Sequence, residues 1–337
     1  MQRQTRNRVK RCAACGKACA YTLAACNGCG QDLSTTPESF TSNVFTGFIF
    51  GVAKTRFPLQ ISLRAQDEQI LVFDDLLSLT TCHLNCIPTN VYIPDLRALF
   101  ANPARGRALL ARLHDAAWSV VAEQFWAHDG WREKMLRPVG QGEAANPEDM
   151  ALLTLDTLRR HVVAGCNFPP SQYQLHLQFM LPPFTPFHWH LYKHGGHFTK
   201  GRFFPVEYLV AALTAMGESP MPEAADMAIE ELTARVEREY GVSYEKMWRT
   251  SFEAYGASHA RLEQWSPEDF DAAIVDGHVV VERPSGGAVK GAPVGVSEML
   301  AADKLALQNY GRPYNQAGQP TGTYYRYAKQ APLPEWS

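Results

Sequence analysis

The chain has 337 residues, room for a large buried core and about two domains, and its 46% apolar, 20% charged and 11% aromatic content is that of ordinary soluble proteins. A formal net charge of -2 excludes a global field for nucleic acid or an anionic membrane, so any such partner has to meet a local patch. No apolar run approaches the roughly 20 residues of a membrane span and no basic, apolar, small-residue leader pattern opens the chain; no membrane partner and a cytoplasmic protein are expected, with mitochondrial and nuclear placement left open.

Residues 1–40 read as a separate module. The stretch MQRQTRNRVKR carries Arg3, Arg6, Arg8, Lys10 and Arg11 and no acidic residue. Behind it stand two CxxC knuckles, Cys12 with Cys15 and Cys26 with Cys29, separated by ten residues. Two residues between thiols let both reach one ion, and four thiolates complete a closed tetrahedral shell, so a structural Zn2+ ribbon is expected. A redox CxxC pair and coincidence are the competing readings. A segment with so little apolar core would draw most of its folding free energy from the metal. Cys19 is read as a bystander, and the basic arm and ribbon offer RNA a positive face or form a solvated tail. Cys82, Cys86 and Cys166 lie scattered in apolar contexts, which points to a reducing compartment.

From about 43 to 75 the pattern is β: NVFTGFIFGVAK, PLQISLRAQ and QILVFDD are short β-branched and aromatic runs broken by turn residues. HLNCIPTNVYI reads as a further strand and turn. Asp95 caps a short helix, Asn102 and Pro103 open another, and Leu109, Leu110, Leu113, Ala117 and Val120 supply its apolar face. Glycines and Pro138 mark a loop near 130–142, Asn146 and Pro147 start a helix through NPEDMALLTLDTLRR, and HVVAG is a strand. After SQYQLHLQFMLPP, with a turn at Pro182 and Pro183, comes an aromatic and histidine-rich run. PVEYLVAALTAMG is a buried helix. An amphipathic helix follows with Ala225, Ala228, Ile229, Leu232 and Val236 on one face and Gly241 as its stop. One more helix covers YEKMWRTSFEAYGASHARLEQW, and the Tyr, Pro and Gly-rich tail from 283 is expected to wrap the body.

In SQYQLHLQFMLPP a strand period places Gln174, His176, Gln178 and Met180 on one face and Leu175, Leu177 and Phe179 on the other. A structural strand would alternate likewise. The polar choice goes further, since an imidazole between two amides offers a nucleophile with neutral neighbours suited to phosphate oxygens. Downstream, His188, His190, His194 and His197 follow with Lys193, Lys200 and Arg202; a metal site, a phosphate pocket and plain packing are all compatible with them.

The strand resembles the signature of the histidine-triad superfamily, His-φ-His-φ-His-φ-φ, with His176 at the nucleophile position and Gln174 and Gln178 in place of the outer histidines. Glutamine at the third position is similar to the galactose-1-phosphate uridylyltransferase and diadenosine tetraphosphate phosphorylase branch. Ser171 matches its phosphate-binding serine and Asn167, more loosely, its asparagine. FDDLLSLTTCHLNCIPTNVYIPDLRAL resembles a second stretch of the superfamily, with Asp75 at the ribose-binding carboxylate, His83 eight residues later, and Ser78 where the family has proline. The two segments cover roughly residues 43–185. The resemblance implies α-phosphate chemistry on a dinucleoside polyphosphate or nucleotide sugar through a covalent His176 intermediate, with Ser171 and Gln178 in catalysis and Asp75, His83, Asn167 and Gln174 binding substrate; Lys193, Lys200 and Arg202 are substrate-binding candidates from the phosphate-pocket reading of the histidine-rich run. It also implies pairing as a homodimer.

The expected architecture is α+β: a basic arm and zinc ribbon over 1–40, a HIT-like antiparallel sheet with helices over 41–200, a helical extension over 201–282 and an extended tail over 283–337. A non-catalytic nucleotide- or RNA-binding scaffold is the alternative function.

Overall fold

The computed structural model describes residues 6–16, 18–21, 23–26, 29–42, 63–75, 78–127, 154–170, 174–184, 186–262, 271–275, 278–283, 287–293 and 336. The first module is a three-stranded antiparallel sheet in which β1 (Arg6–Arg11) lies between β2 (Ala18–Ala20) and β3 (Glu38–Ser42). Its small core consists of Cys12, Cys19, Cys26 and Leu33, with Leu23 against them.

The body is built on a six-stranded sheet, of order β4-β5-β6-β8-β7-β9 and antiparallel throughout. Strands β4 (Leu63–Gln66) and β5 (Ile70–Asp74) form a hairpin. Its turn is fixed by Asp67, whose Oδ1 accepts from the backbone N–H groups of Gln69 and Ile70. Strand β6 (Thr80–Pro88) is buried along its length and ends at the Ile-Pro step. A 3-10 turn over Leu96–Ala101, capped by Asp95, leads to α1 (Pro103–Val120), which Asn102 caps through the Arg105 N–H and Pro103 opens. Leu110, Leu113, Ala117 and Val120 form its buried stripe, and a π-helical turn, Val121–Trp126, carries it further.

The helix expected from Asn146 has its described part only in α2 (Leu155–Arg159); 146–153 lie outside the described residues. Thr154 caps α2 by a reciprocal pair of bonds with Thr157, a local start independent of Asn146. Strands β7 (Val163–Asn167) and β8 (Leu177–Phe184) follow. Pro182 and Pro183, expected as a turn, lie inside β8, joined by a cis bond and buried. The histidine-rich run then winds into α3 (Pro186–Lys193), which its aromatics bury. The short β9 (Phe203–Pro205) runs directly into α4 (Val206–Met216); a 3-10 turn, Pro222–Asp226, precedes α5 (Ile229–Tyr240), and α6 (Tyr244–Leu262) closes the helices. Gly241 stops α5 at φ 72, a conformation that glycine adopts without steric cost. The extension is not wholly helical, because β10 (Asp271–Val275), β11 (His278–Arg283) and β12 (Gly287–Pro293) form a separate antiparallel sheet. Of the tail, Trp336 donates its backbone N–H to the Tyr92 carbonyl at 3.2 Å, and its ring lies under the Arg105 guanidinium. The strands expected over 43–62 and the loop at 130–142 lie outside the described residues.

The chain is therefore α+β, with helices against an antiparallel sheet. No helix among the described residues is long and apolar enough to cross a membrane.

Alternation divides the sheet into two faces. Val72, Leu84, Cys86, Ala164, Cys166, Leu177, Phe179 and Leu181 point into the main core with α1, α4 and α5. Met180 and Val163 point the other way, where one end of the sheet is covered by Phe184, Tyr192, Phe198, Phe203 and Tyr255. Gly165 admits this cover: a Cβ there would meet the Phe203 ring and the Phe204 carbonyl at 2.5 Å. Gly165→Ala is expected to destabilise the fold by roughly 1–3 kcal/mol, read as a lower urea midpoint with an unchanged slope.

Candidate functional site

The second face of the sheet carries the polar groups. Register sets Asn85 of β6 across from Gln178 of β8 on one side and from Phe73 of β5 on the other, and Gln178 across from Gly165 of β7. The next row pairs His83 with Met180, and Met180 with Val163. Asp75 continues the β5–β6 ladder, its N–H donating to the His83 carbonyl at 2.8 Å. Consecutive aspartates thus take opposite faces. Asp74 is spent on the core side, in a two-pronged pair with Arg64 at 2.8 and 2.7 Å, while Asp75 joins the polar row. Ser78 holds the turn after β5 by donating its hydroxyl to the Asp75 carbonyl at 2.6 Å.

His176 lies one residue before β8 and is 3% exposed. Its Nδ1 is 2.9 Å from the Gln174 carbonyl oxygen. A carbonyl only accepts, so Nδ1 carries the proton and Nε2 keeps the lone pair. Burial holds the imidazole below its ordinary value, with the Gln174 carbonyl and the Asp75 charge opposing that shift. The ring is therefore neutral near pH 7, with its nucleophilic nitrogen fixed by the backbone.

Gln174 is fully buried and does not extend the polar row. Its Oε1 accepts from the Ile93 N–H at 3.0 Å and its Nε2 donates to the Pro88 carbonyl at 2.5 Å. Both ends of the amide are engaged by backbone, so this side chain clamps the connection after β6 and leaves nothing to offer a phosphate. The Leu175 N–H, donating to the Ile93 carbonyl at 2.9 Å, adds a third tie.

His83 is 2% exposed. Its Nδ1 accepts from the Leu79 N–H at 3.1 Å, and its Nε2 faces Asp75 Oδ2 at 3.7 Å. Asn85 donates Nδ2 to the same carboxylate oxygen at 2.6 Å. The sequence reading passed over Asn85. The alternation of Thr81, His83 and Asn85 in TTCHLNCIP was the signal for it, a polar file inside a strand buried from end to end.

Asn167 ends β7, partly exposed, across from Phe203. Ser171 lies outside the described residues. Arg202 is half-buried beside this strand end, its carbonyl accepting from the Phe168 N–H at 2.8 Å. Burial lowers its basicity, and its Nη1 has no hydrogen-bond partner among the described residues. Lys193 lies over the Trp189 ring at 5.9 Å and Lys200 pairs with Glu245 at 3.0 Å; neither contact ties these lysines to His176. In the histidine-rich run, His188 Nδ1 and His197 Nε2 are 2.9 Å apart, His194 is exposed, and the His190 side chain lies outside the described residues. His197 is pushed down to about 3 by burial, by His188 and by His83.

Among the described residues, Cys12, Cys15, Cys26 and Cys29 form the one group able to gather three or more ligands around an ion, their sulfurs lying within 4.8 Å of one another. Cys12 and Cys29 approach to 3.6 Å, as do Cys15 and Cys26. Four sulfurs at this spacing suit a tetrahedral cation, whose charge would relieve the crowding of thiolates. Cys19 is more than a bystander in packing, since its buried thiol donates to Cys26 Sγ at 3.6 Å.

His176, His197 and His114 are all held below the ordinary value of 6.5, burial being the first cause in each. Below about pH 6.5 the unfolded chain then binds more protons than the folded one. Their contribution to stability is complete above that point and is lost as pH falls toward the folded values. Thermal melts from about pH 8 to about pH 4 are expected to show Tm falling across this window, and His197→Gln is expected to flatten the fall.

No protein-family model matches the chain, and no curated protein matches it. Among solved structures the chain is similar to the aprataxin ortholog Hnt3 from Schizosaccharomyces pombe, at 15% identity over 42% of this chain and 59% of that one, with a TM-score of 0.27. It is also similar to Hnt3 in complex with DNA and guanosine, at 13% identity over 62% of this chain and 97% of that one, TM-score 0.32. A further similarity is to the aprataxin ortholog Hnt3 in complex with DNA, at 14% identity, with coverage of 62% and 97% and a TM-score of 0.31. At such identities and scores, function rests on the residues of this chain itself.

Proposed function

We propose that the body is a histidine-triad-like nucleotide site with a Gln-His-Gln variant of the triad, acting at the α-phosphate of a dinucleoside polyphosphate or nucleotide sugar. The observation that carries this reading is the His176 ring itself: buried, neutral, with Nδ1 bonded to the Gln174 carbonyl and Nε2 left as the nucleophile. In this reading Nε2 attacks the α-phosphorus in line, forming a P–N bond as the bond to the leaving phosphate or sugar phosphate breaks with its electron pair. Gln178, Ser171 and Asn167 hydrogen-bond the phosphoryl oxygens, and Asp75, with His83 and Asn85 about it, holds the sugar. Water, phosphate or another acceptor then attacks phosphorus and frees His176. Gln178 cannot deliver a proton as an imidazolium does, so leaving groups that are stable as anions, and phosphorolysis or transfer, are favoured over fast hydrolysis.

The four-cysteine group is proposed to hold one structural zinc, which would supply the folding free energy that the small core of residues 6–42 lacks. A specific observation supports the scaffold reading beside the enzymatic one: Phe40, 48% exposed on β3, stands directly across from Arg8 of the basic strand β1. An exposed aromatic ring on such a strand is what a single-stranded nucleic acid such as RNA can stack on.

Incubation with α-phosphate-labelled dinucleoside polyphosphates and nucleotide sugars is expected to leave an acid-labile label on the wild-type chain and none on His176→Ala. The labelling rate is expected to hold steady around neutral pH and to drop only where His176 becomes protonated, below its ordinary range. RNA binding without label or turnover in any acceptor would assign the chain to the scaffold reading. Metal analysis of unchelated protein is expected to give about one zinc per chain, and Cys26→Ser to lower that content while the body still unfolds as one cooperative unit.

A further inference from the structure

Trp336 stands far in sequence from the sheet, yet its indole packs against the main core and lies 4.0 Å beneath the Arg105 guanidinium of α1. Its backbone N–H donates to the Tyr92 carbonyl at 3.2 Å. That carbonyl belongs to the same peptide group as the Ile93 N–H, which donates to Gln174 Oε1 at 3.0 Å. One planar amide is therefore held at both ends, by Trp336 and by Gln174. The Ile93 carbonyl continues the series by accepting from the Leu175 N–H at 2.9 Å. The Gln174 carbonyl closes it on His176 Nδ1, also at 2.9 Å. A file of hydrogen bonds thus runs from Trp336 to the candidate nucleophile.

Tyr92 and Ile93 belong to the connection after β6, beyond the end of that strand, and both are buried. Buried backbone groups need partners, and the direction of a peptide between two strands is set by the partners it finds. A bond from so remote a residue lasts only while something fixes that residue. For Trp336 the fix is its side chain, a large apolar ring against the core with a cation over its face. We propose that Trp336 is a positioning residue for His176: anchored by its indole, its N–H holds the Tyr92–Ile93 peptide in the orientation that Gln174 clamps, and Gln174 fixes the imidazole. Trp336 acts through this series and takes no part in bond making. The chemical consequence, a nucleophile kept on its phosphorus, rests on the nucleotide reading; the structural one rests on the hydrogen bonds alone.

The test compares the full chain as wild type, Trp336→Ala and Trp336→Phe, by NMR of the histidine ring nitrogens and by amide hydrogen exchange, with the His176 signals assigned by their loss in His176→Ala. At neutral pH wild type is expected to show one protonated and one unprotonated nitrogen for His176. In Trp336→Ala the two signals are expected to move toward each other as the second tautomer is populated. The Ile93 and Leu175 amides are expected to exchange about tenfold faster there, while those of β7 keep their wild-type rates. Trp336→Phe, which keeps a ring against the core and under Arg105, is expected to restore most of both differences. Wild-type values at His176, Ile93 and Leu175 in Trp336→Ala would overturn the positioning role. Exchange quickened equally throughout the sheet would also overturn it, because Trp336 would then stabilise the body without singling out the site. Should Trp336→Ala fail to fold, Arg105→Gln, which takes the cation off the indole, decides by the same two readings. If the NMR and exchange differences appear while no nucleotide labels wild type, the nucleotide reading falls and the positioning role stands; labelling of wild type without those differences gives the reverse.

Discussion

The site depends on the hydrogen bonds that gather at Gln174. Its side-chain amide spans the Pro88 carbonyl and the Ile93 N–H, and its backbone carbonyl takes the Nδ1 proton of His176. One residue thus joins the exit of β6 to the entry of β8 and fixes the tautomer of the candidate nucleophile. Each bond contributes only about 1 kcal/mol net. Their importance lies in the alternative, because losing the amide would strand a buried backbone donor and acceptor together. Gln174 is therefore a framing element, whereas Gln178, half-buried on β8, remains on the polar face of the sheet.

Around this clamp the sheet separates structural from chemical duties by alternation. On one face Leu177 and Phe179 pack into the helical core; on the other Gln178 and, in the next strand, His83 and Asn85 line the polar row. The division reaches consecutive residues at Asp74 and Asp75. Asp74 answers the buried Arg64 guanidinium, which itself lies over the Phe125 ring at 5.0 Å, and Asp75 stands on the polar face beside Asn85. A one-residue slip of β5 would exchange the two and put an unpaired carboxylate into the core, so the Arg64 pair also enforces the register that the site needs.

The period-two pattern made the sheet faces legible in the sequence, and cap residues made α1 and α5 legible. The knuckle spacing did the same for the cysteine group, since two residues between thiols dictate a shared centre whatever surrounds them. Three features were hidden because they depend on partners distant in sequence. Gln174 looks like a member of the polar file by spacing, and only the approach of Pro88 and Ile93 draws it inward. Asn85 sits in a strand buried from end to end, and its amide finds a partner only when the fold brings Asp75 beside it. The histidine-rich run has no clean helical period, yet it forms α3 because Trp189 and Tyr192 stack with Phe184 and His259. The fate of Pro182 and Pro183 is similar: their turn propensity yields to a buried place in a central strand.

The two bonds made by the Gln174 amide close loops of 81 and 86 residues. Such closure costs chain entropy that local helix formation does not repay, so it is met only when β6 and β8 are already paired. Until then the residues around His176 are an ordinary flexible segment, with its imidazole sampling both tautomers in water. Orientation of the ring is thereby a property of the completed tertiary structure, and a partly folded chain, although it contains every residue of the candidate site, holds no imidazole of fixed tautomer and direction.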